Sequence, residues 1–189
     1  MGSLVRIISG EARGRILKAP RGYKTRPTSD RVREAIFDTL PHWLEGMKVL
    51  DLFAGSGAMG IEALSRGAER AVFVESSPVV SEVIKANLKA CAFTERAHVI
   101  AAKLPGALKR VLKIEGSFDL IFIDPPYEKG LAEETLAMLA PMEGTVANGL
   151  VVVEHSAKEE MPEEINPLRR IRIKKYGSTA VSIYERKSL

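Results

Sequence analysis

From residue 47 onward, short segments that are almost entirely apolar alternate with segments whose apolar residues recur at helical spacing. Apolar strands joined by helices are typical of a parallel sheet that is covered on both faces. The pattern predicts five such strands, over residues 49–53, 71–74, 98–101, 118–123 and 150–153. Four helices are predicted between them. The first ends near residue 65, and the others cover residues 78–90, 104–112 and 131–139.

The two ends of the chain break this alternation. Residues 168–175 and 179–185 alternate in polarity on either side of a turn at 176–178, which predicts an antiparallel hairpin. Residues 6–8 and 15–18 predict a second, short hairpin, which would be marginally stable alone and is expected to lie against the main body or to order on a partner.

A helix follows the N-terminal hairpin, capped by Thr28 or Ser29 and stopped by Pro41. We therefore predict an α/β sandwich over residues 25–189, with a mostly parallel seven-stranded sheet that ends in an antiparallel hairpin. Residues 1–24 form a basic β-hairpin extension in this prediction.

Charge is distributed unevenly. Residues 1–33 contain nine basic and two acidic side chains, a net charge of +7, whereas the rest of the chain carries −3. A basic arm on a mildly acidic body is typical of proteins that bind a polyanion, although a solvated basic surface that aids solubility explains the same excess. The candidate nucleic-acid contacts are Arg6, Arg13, Arg15, Lys18, Arg21 and Lys24.

Composition excludes several classes of protein. The 189 residues are 46% apolar and 28% charged, which is a globular composition. No apolar run approaches the roughly 18 residues of a transmembrane helix, and residues 1–8 lack the apolar stretch of a signal peptide. Cys91 is the single cysteine, and no Cys or His spacing indicates zinc. We expect a cytoplasmic protein with neither a metal site nor a membrane contact.

The first chemically informative motif is the segment 51–60, DLFAGSGAMG, at the end of the first predicted strand. Gly55 and Gly57 permit a tight turn and close approach of a ligand to the backbone, and the following helix points its N-terminus at that ligand. Glu75 ends the next strand, where a carboxylate can accept hydrogen bonds from ribose hydroxyls. Because ligands bind beyond the carboxyl ends of parallel strands, the acids that end four strands are expected at one crevice: Asp51, Glu75, Asp124 and Glu154.

The glycine spacing alone leaves the ligand open. Gly55, Gly57 and Gly60 match the G-x-G-x-x-G fingerprint of dinucleotide-binding oxidoreductases, and Gly57 and Gly60 are also explained by close helix–strand packing. Asp51, four residues before the first glycine, favours a ligand with an amino group over a diphosphate. A crevice lined with carboxylates likewise suits a cationic sulfonium ligand.

The second motif is Asp124-Pro125-Pro126-Tyr127, at the end of the fourth predicted strand. The two prolines remove two N–H donors, which leaves the Asp124 carboxylate and backbone carbonyls as acceptors beside an aromatic ring. Such a site suits a planar base with an exocyclic amine, whose N–H groups donate while Tyr127 stacks on the ring. Without the glycine motif upstream, a simple strand-ending turn would explain the same residues.

These motifs occur together with four further segments: residues 6–10 (RIISG), 13–15 (RGR) with Leu17, 25–35 (TRPTSDRVREA) and 60–68 (GIEALSRGA). The combination resembles the bacterial RsmD family of S-adenosyl-L-methionine-dependent methyltransferases over nearly the whole chain. The resemblance implies a Rossmann-like class I methyltransferase fold. It also implies methylation of N2 of one guanine of 16S ribosomal RNA, guanine 966 in the usual RNA numbering, with S-adenosyl-L-homocysteine as the second product.

Carried over by position, the resemblance assigns the target guanine to Asp124, Pro125, Pro126 and Tyr127. It assigns the cofactor to Asp51, Phe53, Gly55, Ser56, Gly57, Glu75, Ser76, Ala102 and Lys103, and to Arg26 and Thr28 in a segment that covers the cofactor in relatives. Lys103 departs from the pattern, because many methyltransferases have Asp or Asn there to accept from the adenine amine and lysine cannot accept. A backbone carbonyl is the expected substitute.

The expected partner is 16S rRNA, within a partly or fully assembled small ribosomal subunit, and the enzyme is expected to be a monomer. Two alternatives stay open. An amino-methyltransferase acting on DNA adenine or on a protein glutamine amide uses a similar Asp/Asn-Pro-Pro-Tyr motif, although the chain shows no target-recognition domain. A non-catalytic RNA-binding assembly factor would tolerate the change Asp124→Ala.

Overall fold

The computed structural model describes residues 5–20, 30–41, 44–127 and 130–187. The chain divides into two compact units, unit 1 at Met1–Ala102 and unit 2 at Lys103–Leu189. The predicted boundary between residues 24 and 25 lies outside the described residues, as does the predicted cap at Thr28 or Ser29.

Unit 1 contains the N-terminal hairpin and three parallel strands. The strands β5, β4 and β3 lie side by side in that order, in parallel pairs. The elements are β1 (Val5–Arg6), β2 (Ile16–Leu17), α1 (Asp30–Phe37), β3 (Lys48–Leu52), α2 (Ala58–Ser65), β4 (Arg70–Glu75), α3 (Pro78–Ala90), a 3₁₀ turn (Thr94–Arg96) and β5 (Ala97–Ala101).

Local sequence explains the start of α3. Pro78 occupies the first turn, where its missing N–H is not needed. Ser77 is the N-cap, and its hydroxyl accepts a hydrogen bond from Val80 N at 3.4 Å. Ile84 and Leu88 are almost fully buried and make up the apolar face of the helix together with Val80. The predicted helix 78–90 is therefore confirmed at both ends.

Unit 2 has the strand order β6, β7, β10, β9, β8. The β6–β7 pair is parallel, and the other pairs are antiparallel. The elements are α4 (Leu108–Glu115), β6 (Phe118–Ile123), α5 (Leu131–Leu139), β7 (Thr145–Ser156), β8 (Glu164–Ile165), β9 (Leu168–Tyr176) and β10 (Thr179–Arg186). The predicted C-terminal hairpin, the strand 118–123 and the helix 131–139 are confirmed.

Two predicted elements of unit 2 were wrong in their boundaries, and one strand was not predicted. Helix α4 begins at Leu108 rather than near 104, because Pro105 disfavours helical torsions at the preceding residue and Gly106 favours a turn. Strand β7 begins at Thr145, five residues earlier than predicted, with the non-glycine Asn148 at φ +60° within it. The two-residue strand β8 was not predicted, since its pairing with β9 leaves no pattern in so short a segment.

The predicted N-terminal hairpin is present and lies against helix α2. Gly10 approaches the end of the helix so closely that an added Cβ would lie 1.6 Å from the carbonyl oxygen of Ser65. Glu11 N donates to that carbonyl at 2.8 Å, and Ala12 N donates to Ser65 Oγ at 3.0 Å. The hairpin is thus part of the body of unit 1 and does not depend on its own two strands for stability.

A buried carboxylate holds the other side of the hairpin. Glu62 is fully buried and accepts hydrogen bonds from Ile8 N at 2.8 Å and Ser9 N at 3.0 Å. It also accepts from Arg66 Nε at 2.8 Å and lies 4.0 Å from Nε of the buried Arg33. These partners offset the cost of removing the carboxylate from water.

Substitution of Gly10 tests this docking. Gly10→Ala places a Cβ against Ser65, so we expect a loss of at least about 2 kcal/mol in the free energy of unfolding and faster tryptic cleavage after Arg13 and Arg15. Gly14 has the same φ, +83°, but nothing lies within 4 Å of an added Cβ. The control Gly14→Ala should therefore lose only about 1 kcal/mol. Equal losses in urea unfolding would contradict the docked arrangement.

Candidate active site

The loop from β3 to α2, residues 53–57 (the glycine loop), has an unusual backbone. Gly55 and Gly57 have φ +54° and +79°, in the left-handed region that glycine enters without a steric penalty. Phe53 has φ +62° although it carries a side chain. Such a residue costs on the order of 1 kcal/mol, so the rest of the structure must hold the loop in place.

Asp51 lies at the end of β3 and is 2% exposed. Its Oδ2 accepts a hydrogen bond from Gly60 N, in the first turn of α2, at 2.9 Å. Burial raises the pKa of Asp51 from 3.8 to about 7; the Gly60 hydrogen bond opposes this rise, and the negative charge of Glu75 adds to it. In this structure Asp51 therefore supports the start of the helix, and it loses its proton only as the pH rises through about 7.

Gly60 has a packing role. An added Cβ would lie 2.3 Å from Cε1 of Phe73 on β4, so only glycine allows α2 to lie this close to the strand. The close-packing explanation raised from the sequence accounts for this glycine, whereas the left-handed torsion of Gly57 sets the turn itself.

Glu75 ends β4 and reaches both the glycine loop and the start of α3. Its Oε2 accepts from Gly55 N at 3.1 Å, and its Oε1 accepts from Ser77 N at 2.8 Å and Ser76 Oγ at 3.1 Å. A carboxylate oxygen can accept two hydrogen bonds, so Oε2 keeps capacity for a ligand hydroxyl. The structure brings the predicted residues Asp51, Gly55, Gly57 and Glu75 together around one loop.

Asn87 is a buried polar residue that the sequence analysis missed. From α3 its Nδ2 donates to Ser56 O in the glycine loop at 2.9 Å and to Lys18 O at 3.0 Å. Its Oδ1 accepts from Lys18 N at 2.8 Å. Asn87 thus joins the end of the hairpin to the loop. The available signal was an asparagine on the apolar face of α3, three residues after Ile84.

The remaining predicted cofactor residues have differing surroundings. Ala102 is buried, and its N–H donates to Glu75 O at 2.9 Å. Ser76 and Lys103 are exposed. Arg26 and Thr28 lie outside the described residues. The assignment of these residues to a cofactor stays a prediction.

In unit 2 the second motif follows β6 directly. Pro125 is buried, Pro126 is exposed, and Asp124 and Tyr127 are partly exposed. The Tyr127 hydroxyl donates a short hydrogen bond to Glu154 Oε1 and lies 2.9 Å from Thr179 Oγ1. Burial raises the pKa of Tyr127, and the adjacent Glu154 raises it further. Tyr127 is therefore a neutral, anchored aromatic side chain.

Four of the six candidate nucleic-acid contacts are described, and all four are exposed: Arg6, Arg13, Arg15 and Lys18. Arg21 and Lys24 lie outside the described residues. Because the hairpin is docked through its backbone, these side chains remain directed to solvent with their charges available.

No helix in the described ranges is both long and apolar enough to cross a bilayer. Nor do His, Cys, Asp and Glu side chains within those ranges form a group of three or more that could hold a metal ion.

Comparison with known proteins places this chain among relatives. The sequence model of the family described as "Conserved hypothetical protein 95" matches residues 5–185. The Escherichia coli K12 protein named ribosomal RNA small subunit methyltransferase D is 35% identical over 97% of this chain and 91% of its own length. The chain belongs to the RsmD family.

Further relatives support this membership. YlbH of Bacillus subtilis is 40% identical over 97% of this chain and all of its own length. The solved structure of yhhF from Escherichia coli has a TM-score of 0.83 and 34% identity, and the match covers 99% of this chain and 100% of that one. The predicted family and its Rossmann-like methyltransferase fold are confirmed.

The raised pKa of Asp51 generates a pH prediction for this RsmD-family protein. Between about pH 4 and 7 the folded protein binds a proton at Asp51 that the unfolded chain has already lost, so its stability falls as the pH rises. Asp51→Asn keeps an oxygen acceptor for Gly60 N but cannot become charged. We expect the stability advantage of the variant to grow by roughly 2 kcal/mol from pH 5 to pH 8.

Urea unfolding at both pH values measures this difference. Asp38→Asn, at an exposed position, controls for the loss of one negative charge. A difference between wild type and Asp51→Asn that stays constant with pH would contradict the assignment.

Proposed function

We propose that this protein transfers a methyl group from S-adenosyl-L-methionine to the N2 amine of a guanine in 16S rRNA, at the position numbered 966. The observation that carries the proposal is the segment Asp124–Tyr127, whose two prolines offer no N–H donors and whose tyrosine is anchored, in a chain of the RsmD family. The names of relatives such as the Escherichia coli and Haemophilus influenzae proteins, ribosomal RNA small subunit methyltransferase D, support an rRNA substrate.

The second motif suits an exocyclic amine because it offers acceptors and no backbone donors at two successive positions. Pro125 and Pro126 lack N–H groups, so an amine that donates both protons meets only the Asp124 carboxylate and carbonyl oxygens. When these oxygens accept hydrogen bonds from both N–H groups, the two protons move out of the ring plane. The lone pair is then less delocalised into the ring and is available on nitrogen for attack. Tyr127 supplies a face for stacking, and the pocket aligns the amine.

The glycine loop fits the proposed cofactor. An added Cβ at Gly57 would lie 3.1 Å from Ile84, so the loop packs closely against α3. Glu75 can accept from ribose hydroxyls, and ionised Asp51 favours a cationic ligand. Glu75 and the glycine loop would hold the cofactor, which when bound would supply an electrophilic methyl group to N2 and leave as S-adenosyl-L-homocysteine. The Asp124 carboxylate, which accepts a hydrogen bond from the amine, would pass the proton that N2 loses to solvent.

The exposed arginines of the hairpin favour a polyanionic substrate. A base paired inside a helix cannot reach the acceptor site, so the target guanine must be unpaired or flipped out. Phosphate contacts from the hairpin would supply affinity that does not depend on sequence.

Asp124→Ala tests the catalytic assignment. Removing the carboxylate leaves the amine without its anionic acceptor, and we expect methyl transfer to small ribosomal subunits to slow by about 100-fold or more. S-adenosyl-L-homocysteine affinity, measured by calorimetry, should be unchanged. Asp124→Asn, which keeps one oxygen acceptor, should retain intermediate activity. An Asp124→Ala variant as active as the wild type would favour a different role for this segment.

A second prediction concerns the hairpin. Deleting it would remove the hydrogen bonds that Glu62 and Ser65 make to the hairpin backbone, so substitution of exposed charges is the better test. Arg13→Glu with Arg15→Glu should weaken RNA binding. The plot of log affinity against log salt has a negative slope, and its magnitude should decrease by roughly 1.4. Cofactor affinity should not change. An unaltered salt slope in filter binding would exclude these two side chains as phosphate contacts.

A further inference from the structure

The hydroxyl of Tyr127 is held by two side chains from neighbouring strands. Glu154 belongs to β7 and Thr179 to β10, and they are 6% and 5% exposed. In the antiparallel register Thr179 faces Ser156 and Val181 faces Glu154, so Thr179 and Glu154 lie diagonally on one face of the sheet. A single tyrosine oxygen can therefore contact both.

The direction of the two hydrogen bonds follows from the chemistry of the groups. A carboxylate only accepts, so the Tyr127 proton is donated to Glu154 Oε1. The contact of 2.9 Å with Thr179 must then be donated by the threonine hydroxyl to the tyrosine oxygen. Both the proton and a lone pair of Tyr127 are engaged, and both partners lie within strands of a hydrogen-bonded sheet.

This arrangement affects the substrate side of the residue. The backbone before Tyr127 is restricted by two prolines, but its ring could still swing about the Cα–Cβ bond. Hydrogen bonds to two strands at the far end of the side chain remove that freedom. A ring held at both ends presents its face in one position before any base arrives, which lowers the entropic cost of alignment.

We propose that Glu154 and Thr179 are positioning residues that hold the ring of Tyr127 where it stacks on the target guanine. The proposal rests on the function proposed for Asp124–Tyr127. Neither residue touches the reacting atoms in this account, and each acts only through the tyrosine hydroxyl.

Thr179 offers the sharper test, because Thr179→Val keeps the side-chain shape and removes only the hydroxyl. We expect Thr179→Val and Tyr127→Phe each to lower kcat for methyl transfer to small ribosomal subunits by roughly 10-fold, with little change in cofactor affinity. The double variant should be no slower than Tyr127→Phe alone, because both changes remove the same hydrogen bond. Thr179→Ser keeps the hydroxyl that donates to Tyr127, so its kcat should stay near the wild-type value.

Tyr184→Phe is the matched control. It removes the hydroxyl of a buried tyrosine that lies on β10, like Thr179, but pairs with Val151 rather than with the part of β7 that holds Tyr127. The Tyr184 hydroxyl donates to Pro162 O at 2.6 Å. The stability of the variant should fall as for Tyr127→Phe while its kcat stays at the wild-type value. Additive losses in the double variant, or wild-type kcat in Tyr127→Phe, would overturn the proposal.

A second measurement does not depend on the substrate. In the wild-type protein the hydroxyl proton of Tyr127 should give an NMR signal that exchanges slowly with water, and Thr179→Val should speed that exchange. Rapid exchange in the wild type would overturn the positioning role. Slow exchange in a protein that transfers no methyl group to rRNA would instead contradict the proposed function and leave the anchored tyrosine in place.

Discussion

Two carboxylates from neighbouring parallel strands hold the glycine loop and the first turn of the helix that follows it, and the rest of the proposed cofactor site depends on them. Asp51 accepts from Gly60 N at the start of α2, and Glu75 accepts from Gly55 N within the loop. These hydrogen bonds offset the cost of a left-handed, non-glycine residue at Phe53. Because Asp51 is buried with Glu75 nearby, its pKa rises to about 7. The carboxyl that supports the start of α2 therefore becomes charged only as the pH rises to about 7.

The same helix that starts at the loop also carries the N-terminal hairpin. Glu62 and Ser65 of α2 bind hairpin backbone, and Asn87 of α3 bonds to both Lys18 and the loop residue Ser56. The exposed arginines are therefore mounted on the elements that shape the proposed cofactor site. In unit 2 the tyrosine of the second motif is likewise fixed by side chains from two strands. Each half of the proposed chemistry rests on ordered secondary structure.

Much of the fold could be predicted because its strands are short, almost entirely apolar segments separated by helices with regular apolar spacing. Strand β6 and helix α5 match the prediction residue for residue. The start of α4 was wrong because the apolar spacing continues through Pro105, which the helix does not include. The motifs located the loop and the acceptor segment, since both lie at strand ends. They could not reveal that Glu62 holds the hairpin, that Asn87 holds the loop and that Thr179 holds Tyr127. Those contacts join residues far apart in the chain and depend on register and helix packing.

The most direct test of the account is the identity of the methylated nucleotide. Small ribosomal subunits that lack the modification would be incubated with the protein and labelled S-adenosyl-L-methionine, and the RNA would be digested and analysed by mass spectrometry. The account predicts label in N2-methylguanosine at a single site. Label in a different nucleotide, or label in DNA or protein with none in the RNA, would contradict it.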